Sequence, residues 1–193
     1  MKVTKAQAQA NRAHIVETAS TLFRERGYDG VGVADLMAAA GFTHGGFYKH
    51  FGSKADLMAE AAACGFSQSA AKTAGADIAA FIKQYLSREH RDDVGTGCTM
   101  AALSADAARQ PKQVKQAFAD GIERLLASFE NEHGARRVAA RREARARAID
   151  AIAQVVGAVM LSRACPDDSP LADEILDACQ SAALSRLCAP KKP

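Results

Sequence analysis

Glycines divide the first 60 residues into short segments, and this spacing limits them to a small helical unit. The segment 9–26 is predicted to be a helix that ends at Gly27, because one stripe of its surface is apolar. The residues of that stripe are Ile15, Ala19, Leu22 and Phe23. Two shorter helices are predicted at 33–40 and 45–51, separated by Gly41. Short helices joined by a glycine-containing turn form the helix-turn-helix pattern, with Phe42, Phe47 and Phe51 as its expected core.

The remaining chain is predicted to be helical throughout. The expected helices are 54–72, 76–87, 98–109, 112–132, 136–163 and 170–187, with His90 and the segment 91–97 outside them. Only 6% of the residues are aromatic although 48% are apolar, which suits helices packed through small side chains. We therefore predict an all-α protein of about nine helices, with a three-helix helix-turn-helix domain at 1–54 and a helical domain at 55–193.

The distribution of charge suggests a polyanionic partner. The net charge is only +3, but the first 54 residues hold seven basic and four acidic side chains, so the whole excess lies there. A basic end on a neutral body favours nucleic acid binding. An excess of three charges also arises by chance, so charge alone leaves both explanations open.

Several classes of protein are excluded by the sequence. It contains no run of 18 apolar residues and no apolar segment after Lys2 and Lys5, so neither a membrane span nor a secretory signal is predicted. The five cysteines form no Cys-x2-Cys pair, so a structural zinc site is not expected. We expect a cytoplasmic protein with no metal, no cofactor and no membrane partner.

A dense set of residues at fixed spacing lies between residues 12 and 58. It reads Ala19-x2-Leu22-Phe23-x3-Gly27-Tyr28, then Val33-x-Asp35-Leu36, then Ala40-Gly41-Phe42-Thr43-x-Gly45-x-Phe47-Tyr48-x-His50-Phe51-x-Ser53-Lys54-x-Asp56-Leu57. This set resembles the DNA-binding domain of the TetR/AcrR repressor family. The resemblance implies a homodimeric transcription regulator, a repressor that binds a pseudo-palindromic operator in double-stranded DNA. It also implies release by a small-molecule effector bound in the helical body.

The recognition helix of such a domain meets the major groove with its N-terminal residues. The expected DNA-binding residues are Thr43, His44, Gly45, Gly46, Tyr48, Lys49, His50 and Lys54. His44 is the first candidate for a base-edge contact and Lys49 the second, while by resemblance Tyr48, His50 and Lys54 contact phosphates. Thr43 contacts a phosphate, caps the helix, or does both. The glycine at 45 allows either a close approach to DNA or tight packing. The chain departs from the family at 46 and 32, where glycine replaces the usual Thr or Ser.

The last two predicted helices resemble the dimer interface of the family. The expected interface residues are Ile152, Val156, Val159, Met160, Leu171, Ile175, Cys179 and Ala182; burial inside one chain is the alternative. The candidate effector pocket is apolar, which suits a hydrophobic ligand. Its expected residues are Phe66, Phe81, Tyr85, Cys98, Met100, Leu103, Phe118, Ile122 and Met160, and most of them fit an ordinary core as well.

Two further functions remain open for Cys98. Its predicted place in the first turn of a helix, with Arg91 nearby, favours a reactive thiolate, so the chain could be a repressor that senses oxidants or electrophiles. An enzyme that uses Cys98 with His90 or His133 as base is the other possibility. No nucleophile elbow, phosphate loop or metal motif supports an enzyme, and simple packing also explains a buried cysteine.

Six arginines lie between residues 136 and 147. They are Arg136, Arg137, Arg141, Arg142, Arg145 and Arg147. Either they form a second nucleic-acid patch, or they pair with acidic residues on a solvated helix face, which is the simpler interpretation.

Overall fold

The computed structural model describes residues 4–73, 77–132 and 138–188, and every regular element in these ranges is a helix. The helices are α1 (Lys5–Arg26), α2 (Val33–Ala39), the 3₁₀ helix η1 (His44–Lys49), α3 (Lys54–Thr73), α4 (Ile78–Tyr85), α5 (Arg88–Asp92), α6 (Thr99–Ala107), α7 (Lys112–Glu132), α8 (Val138–Ala164) and α9 (Pro170–Cys188). The predicted all-α class is confirmed. None of the described helices is long and apolar enough to cross a lipid bilayer.

Contacts divide the described chain into two compact units. The first consists of residues 1–71 and 98–121, and the second of residues 72–97 and 122–193. The first unit therefore holds α1, α2, η1 and most of α3 together with α6. The domain boundary predicted after residue 54 separates a DNA-binding part from a helical body by function and not by contacts. It stays a prediction.

The head, which we define as residues 4–60, has an aromatic core. Phe23, Phe47 and Phe51 are buried there, and the Phe47 and Phe51 rings lie 5.4 Å apart. Each such side chain contributes about 1.5–3 kcal/mol by leaving water. Gly27 ends α1 as predicted: its φ is 73°, and its N–H donates to the carbonyl of Phe23 at 2.8 Å. This left-handed conformation favours glycine.

The recognition segment differs from the helix predicted at 45–51. It is a 3₁₀ helix at His44–Lys49, held by i to i+3 hydrogen bonds such as that from the N–H of Gly46 to the carbonyl of Thr43 at 2.9 Å. Two adjacent glycines lower α-helix propensity, and six residues are long for a 3₁₀ helix, which usually spans three or four. Apolar periodicity does not separate these two helix types in so short a segment.

The loop predicted around His90 was wrong, because α5 covers Arg88–Asp92. The hydroxyl of Ser87 caps this helix by accepting the N–H of His90 at 3.2 Å. Arg91 is buried and donates to the carbonyls of Ser162 and Cys165 at 3.1 and 3.2 Å. A five-residue helix has too few internal hydrogen bonds to be stable alone, so these distant contacts explain why local sequence did not predict it.

Helices α8 and α9 pack through small side chains. The buried residues between them include Ala158, Val159, Ser162, Ala172 and Leu176. The hydroxyl of Ser162 also donates to the carbonyl of Ala172 at 2.8 Å. Val159 is 0% exposed within the single chain. Its assignment to the dimer interface was therefore wrong, because no side-chain surface remains for a second copy.

Candidate nucleic-acid interface

The helix η1 presents polar residues outward and buries aromatic ones. Tyr48 is 70% exposed, whereas its neighbour Phe47 is 1% exposed, with the two rings perpendicular at 5.2 Å. His44 and Lys49 are exposed as well. Tyr48, His44 and Lys49 are therefore the exposed polar side chains of η1, while Phe47 is buried in the core of the head, as expected.

Thr43 directly precedes η1 and has an extended backbone, with φ −78° and ψ 149°. Its side chain makes no capping hydrogen bond to η1. The capping alternative is therefore not realised, and the exposed hydroxyl keeps its hydrogen-bonding capacity for another group.

Neither glycine of η1 is needed for packing. A Cβ built on Gly45 meets nothing within 4 Å, and one on Gly46 meets only Met37 Cε at 3.6 Å and Thr43 Oγ1 at 3.8 Å. Neither residue has a positive φ. The packing alternative for Gly45 was therefore wrong, and the fold tolerates a side chain at both positions.

Lys54 begins α3, next to the N-cap residue Ser53, whose hydroxyl accepts the N–H of Asp56 at 3.1 Å. The Lys54 ammonium donates to the carbonyl of Tyr28 at 2.6 Å. An ammonium has three donors, so two remain for other acceptors. The helix N-terminus beside it adds backbone N–H groups that favour an anion.

Tyr28 links the head to α6. Its N–H donates to the carboxylate of Asp106 at 3.2 Å, while its carbonyl accepts from Lys54. The side chain is fully buried, and burial together with the Asp106 charge raises the pKa of its hydroxyl. Asp106 also pairs with Arg109 at 2.6 Å. The sequence did not single out Asp106, because its partner lies 78 residues away.

The expected pocket residues fall into both units, and each group is described by itself. In the first unit Phe66, Cys98, Met100, Leu103 and Phe118 are buried, and the Phe66 and Phe118 rings meet edge to face at 5.4 Å. In the second unit Tyr85 is buried, while Phe81, Ile122 and Met160 are half-buried. Two surface concavities lie elsewhere on the second unit, one along α9 at Pro170–Ser181 and one beside Arg91 and Asp167. Whether the predicted residues form a pocket stays a prediction.

The expected interface residues other than Val159 are accessible to different degrees. Leu171 is 52% exposed, whereas Ile152, Val156, Met160, Ile175, Cys179 and Ala182 are half-buried. Leu161, which the sequence did not single out, is 61% exposed. One face of α8 and α9 is thus apolar and open in the single chain.

The arginine run is partly described. Arg145 pairs with Glu123 at 2.7 Å and Arg147 with Glu143 at 2.8 Å, which supports the interpretation as a solvated, ion-paired face. Arg136 and Arg137 lie outside the described residues, as does His133, one of the two candidate bases for an enzyme.

The head and the helical body define a helix-turn-helix DNA-binding protein. Residues 15–61 match the sequence profile of bacterial regulatory proteins of the tetR family. Residues 74–174, more than half of the chain, match the profile of the C-terminal domain of LmrA/YxaF-like transcriptional regulators. The chain belongs to the TetR family of transcriptional regulators, as the resemblance of its head implied.

Individual relatives are similar mainly in the head. The HTH-type transcriptional regulator AcrR of Shigella flexneri is 40% identical over 57 residues, or 30% of this chain and 26% of AcrR. The chain thus spans about a quarter of that relative's length. An uncharacterised HTH-type transcriptional regulator of Mycobacterium tuberculosis is 29% identical over 175 residues, which cover 84% of this chain and 89% of that protein.

Solved structures share the fold over almost the whole chain. A TetR transcriptional regulator from Chloroflexus aurantiacus has a TM-score of 0.72 at 24% identity and covers 95% of this chain and 96% of its own. The reduced form of Escherichia coli NemR has a TM-score of 0.71 at 20% identity, with coverages of 91% and 96%.

Proposed function

We propose that this chain is a homodimeric repressor that binds a two-half-site operator and releases it when a small hydrophobic molecule binds the body. The observation that carries the proposal is the exposure of the polar side chains of η1. Tyr48, His44 and Lys49 are exposed, while Phe47 of the same helix is buried in the core of the head. A short helix with polar side chains on a rigid core suits insertion into the major groove.

The apolar face of α8 and α9 supports the dimer. Leu161 and Leu171 are both more than half exposed, and Ile149 is 48% exposed. Large apolar side chains gathered on one exposed face are typical of protein interfaces. A two-fold dimer buries such a face against its own copy and supplies the two heads that two half-sites require.

The link between Tyr28 and Asp106 supports control by an effector. Asp106 lies on α6, whose buried residues include Met100 and Leu103 from the expected pocket. A ligand that shifts α6 changes the position of the carboxylate that holds the N–H of Tyr28. A shift of the Tyr28 backbone then moves the ammonium of Lys54, which donates a hydrogen bond to the carbonyl of Tyr28.

The proposal is tested by operator binding of the purified protein across a salt series, with random DNA as competitor. The DNA beside the protein's own gene is the first candidate operator. Binding that resists the competitor, weakens steeply with salt and follows a stoichiometry of one dimer per site is expected. Equal binding to every sequence would contradict the proposed operator function.

Lys54 and His44 are expected to make different contributions to binding. Lys54→Ala removes one phosphate contact in each head of the dimer, so affinity falls alike for operator and random DNA, and the salt slope falls by about 2. His44→Ala removes a base contact and lowers discrimination by about 1–3 kcal/mol, with little change on random DNA. Lys83→Ala, an exposed lysine of α4, serves as the control. If both head variants bind every DNA like the parent, the recognition surface lies elsewhere.

A redox-sensing repressor is the second candidate function. Cys98 is buried at the start of α6, the helix that carries Asp106, so a change at its thiol acts on the link to Tyr28. Cys64 suits such a role less well, because burial and the charge of Glu17 raise the pKa of its thiol. The solved NemR structure that shares this fold is that of its reduced form, a property of that protein alone.

Cys98→Ser decides between the two candidates. If Cys98 is the sensor, a mild oxidant releases the parent from operator DNA and leaves the variant bound. Cys165→Ser, which changes a half-buried cysteine of the second unit, serves as the matched control. Release of the Cys98→Ser protein by the same oxidant would eliminate Cys98 as the sensor.

A further inference from the structure

Arg12 of α1 contacts the segment that joins η1 to α3 and also contacts α3 itself. Its Nε donates to the carbonyl of His50 at 3.2 Å, and its guanidinium carbon lies 4.7 Å from the centre of the Phe51 ring. Both terminal nitrogens form a bidentate ion pair with the carboxylate of Glu60 on α3. One planar side chain thus joins three elements of the head.

The bond to His50 lies where η1 ends. The last carbonyls of any helix lack partners inside it, and His50 is the residue that follows the final turn of η1. A cation near a helix C-terminus satisfies such a carbonyl and favours the negative end of the helix dipole. Because η1 has only six residues, an anchor at this end restricts the whole element.

We propose that Arg12 is a positioning residue for DNA recognition, which holds His50 and the end of η1 in the orientation that DNA binding requires. The proposal rests on the proposed DNA-binding function of η1. His50 is an expected phosphate contact, and its ring lies 6.4 Å from that of Phe42. Arg12 acts through the His50 backbone and does not itself contact DNA.

If Arg12 served only as an ion pair between α1 and α3, it would not need to contact the carbonyl of His50 as well. An ion pair this exposed contributes about 0–1 kcal/mol to stability, since both side chains are more than a third accessible. The guanidinium fork, in contrast, engages Glu60 with two nitrogens and leaves Nε directed at His50. A lysine keeps the charge but cannot make both contacts, because its ammonium is a single point on a flexible stem.

The test compares Arg12→Lys with Arg26→Lys, the same substitution at an exposed arginine of the same helix. For Arg12→Lys we expect an affinity for the operator that is about tenfold lower, the loss of one hydrogen bond to a charged donor. Because His50 is an expected phosphate contact, affinity for random DNA is expected to fall as well, whereas the salt slope stays at the parent value, since lysine keeps the charge. Arg26→Lys is expected to change none of these quantities.

A second measurement needs no DNA. The ring signals of His50 and His44 are compared by NMR in the parent and in Arg12→Lys. We expect the His50 signal to shift or broaden and the His44 signal, at the opposite end of η1, to remain. Thermal unfolding of each variant shows that both proteins are folded.

Two results would overturn the proposal: an unchanged operator affinity or an unchanged His50 signal. If the parent binds no specific operator, the proposed function fails, whereas the His50 signal still decides whether Arg12 positions η1.

Discussion

Gly157→Leu is expected to turn the proposed dimer into a folded monomer and to lower operator affinity by about a thousandfold or more. The loss is large because a monomer contacts one half-site, and its binding approaches the non-specific level. Gly157 lies inside α8, where glycine costs about 1 kcal/mol relative to alanine. Apart from its chain neighbours and its own helix backbone, no described residue lies within 4 Å of a Cβ placed there, so the described part of the fold does not require this glycine.

The position of Gly157 on α8 suggests that the dimer requires this glycine. With 100° per residue, Gly157 falls on the same side of α8 as Ile149 and Met160, away from the buried Ala158 and Ser162. A glycine on an apolar face lets a second helix approach closely. The leucine side chain would occupy the space of the partner helix while leaving the core of its own chain untouched.

Sedimentation or light scattering measures the oligomeric state, and thermal unfolding shows that the variant is folded. Ala151→Leu is the matched control, since Ala151 is an exposed residue of α8 on a different side of the helix. It is expected to remain a dimer. A Gly157→Leu protein that is still a dimer would contradict the proposed interface.

Gly45→Leu is expected to reduce operator binding by roughly a hundredfold while the protein stays as stable as the parent. A cost of about 1–3 kcal/mol is typical for one disturbed position in a specific DNA interface, and a side chain at the tip of η1 separates several contacts at once. Stability is preserved because no atom of the head lies within 4 Å of the new Cβ.

Gly45→Ala refines this test. Alanine is a better helix former than glycine by about 1 kcal/mol, so its stability is expected to equal or exceed that of the parent while operator binding falls. Ala127→Leu adds the same leucine to an exposed site on α7 and is expected to bind like the parent. Unchanged binding of both Gly45 variants would mean that the backbone of η1 does not approach the DNA.

Sequence patterns with local causes predicted much of this protein. Gly27 ends α1 and Phe47 and Phe51 form core, because each depends on neighbours within a few residues. The dense motif in the head identified the family for the same reason, since a fifty-residue unit with so small a core leaves few positions free.

The tertiary structure decided what depends on distant contacts. Arg12 pairs with Glu60, which lies 48 residues away, and this contact joins α1 to α3. Arg91 donates to Ser162, which lies 71 residues away, and this contact stabilises α5. No periodicity in the sequence connects such pairs.

By itself, the sequence determined the all-α class and the helices of the head, because helix periods, caps and turns depend on residues close together in the chain. The recognition residues of the head stay a prediction. The sequence also showed that α8 and α9 are apolar. Only the tertiary structure decided that Val159 packs inside its own chain whereas Leu161 and Leu171 stay exposed. The physical reason is that an apolar pattern indicates how much helix surface is buried. Only the packing of the helices determines which part of that surface is buried inside the same chain.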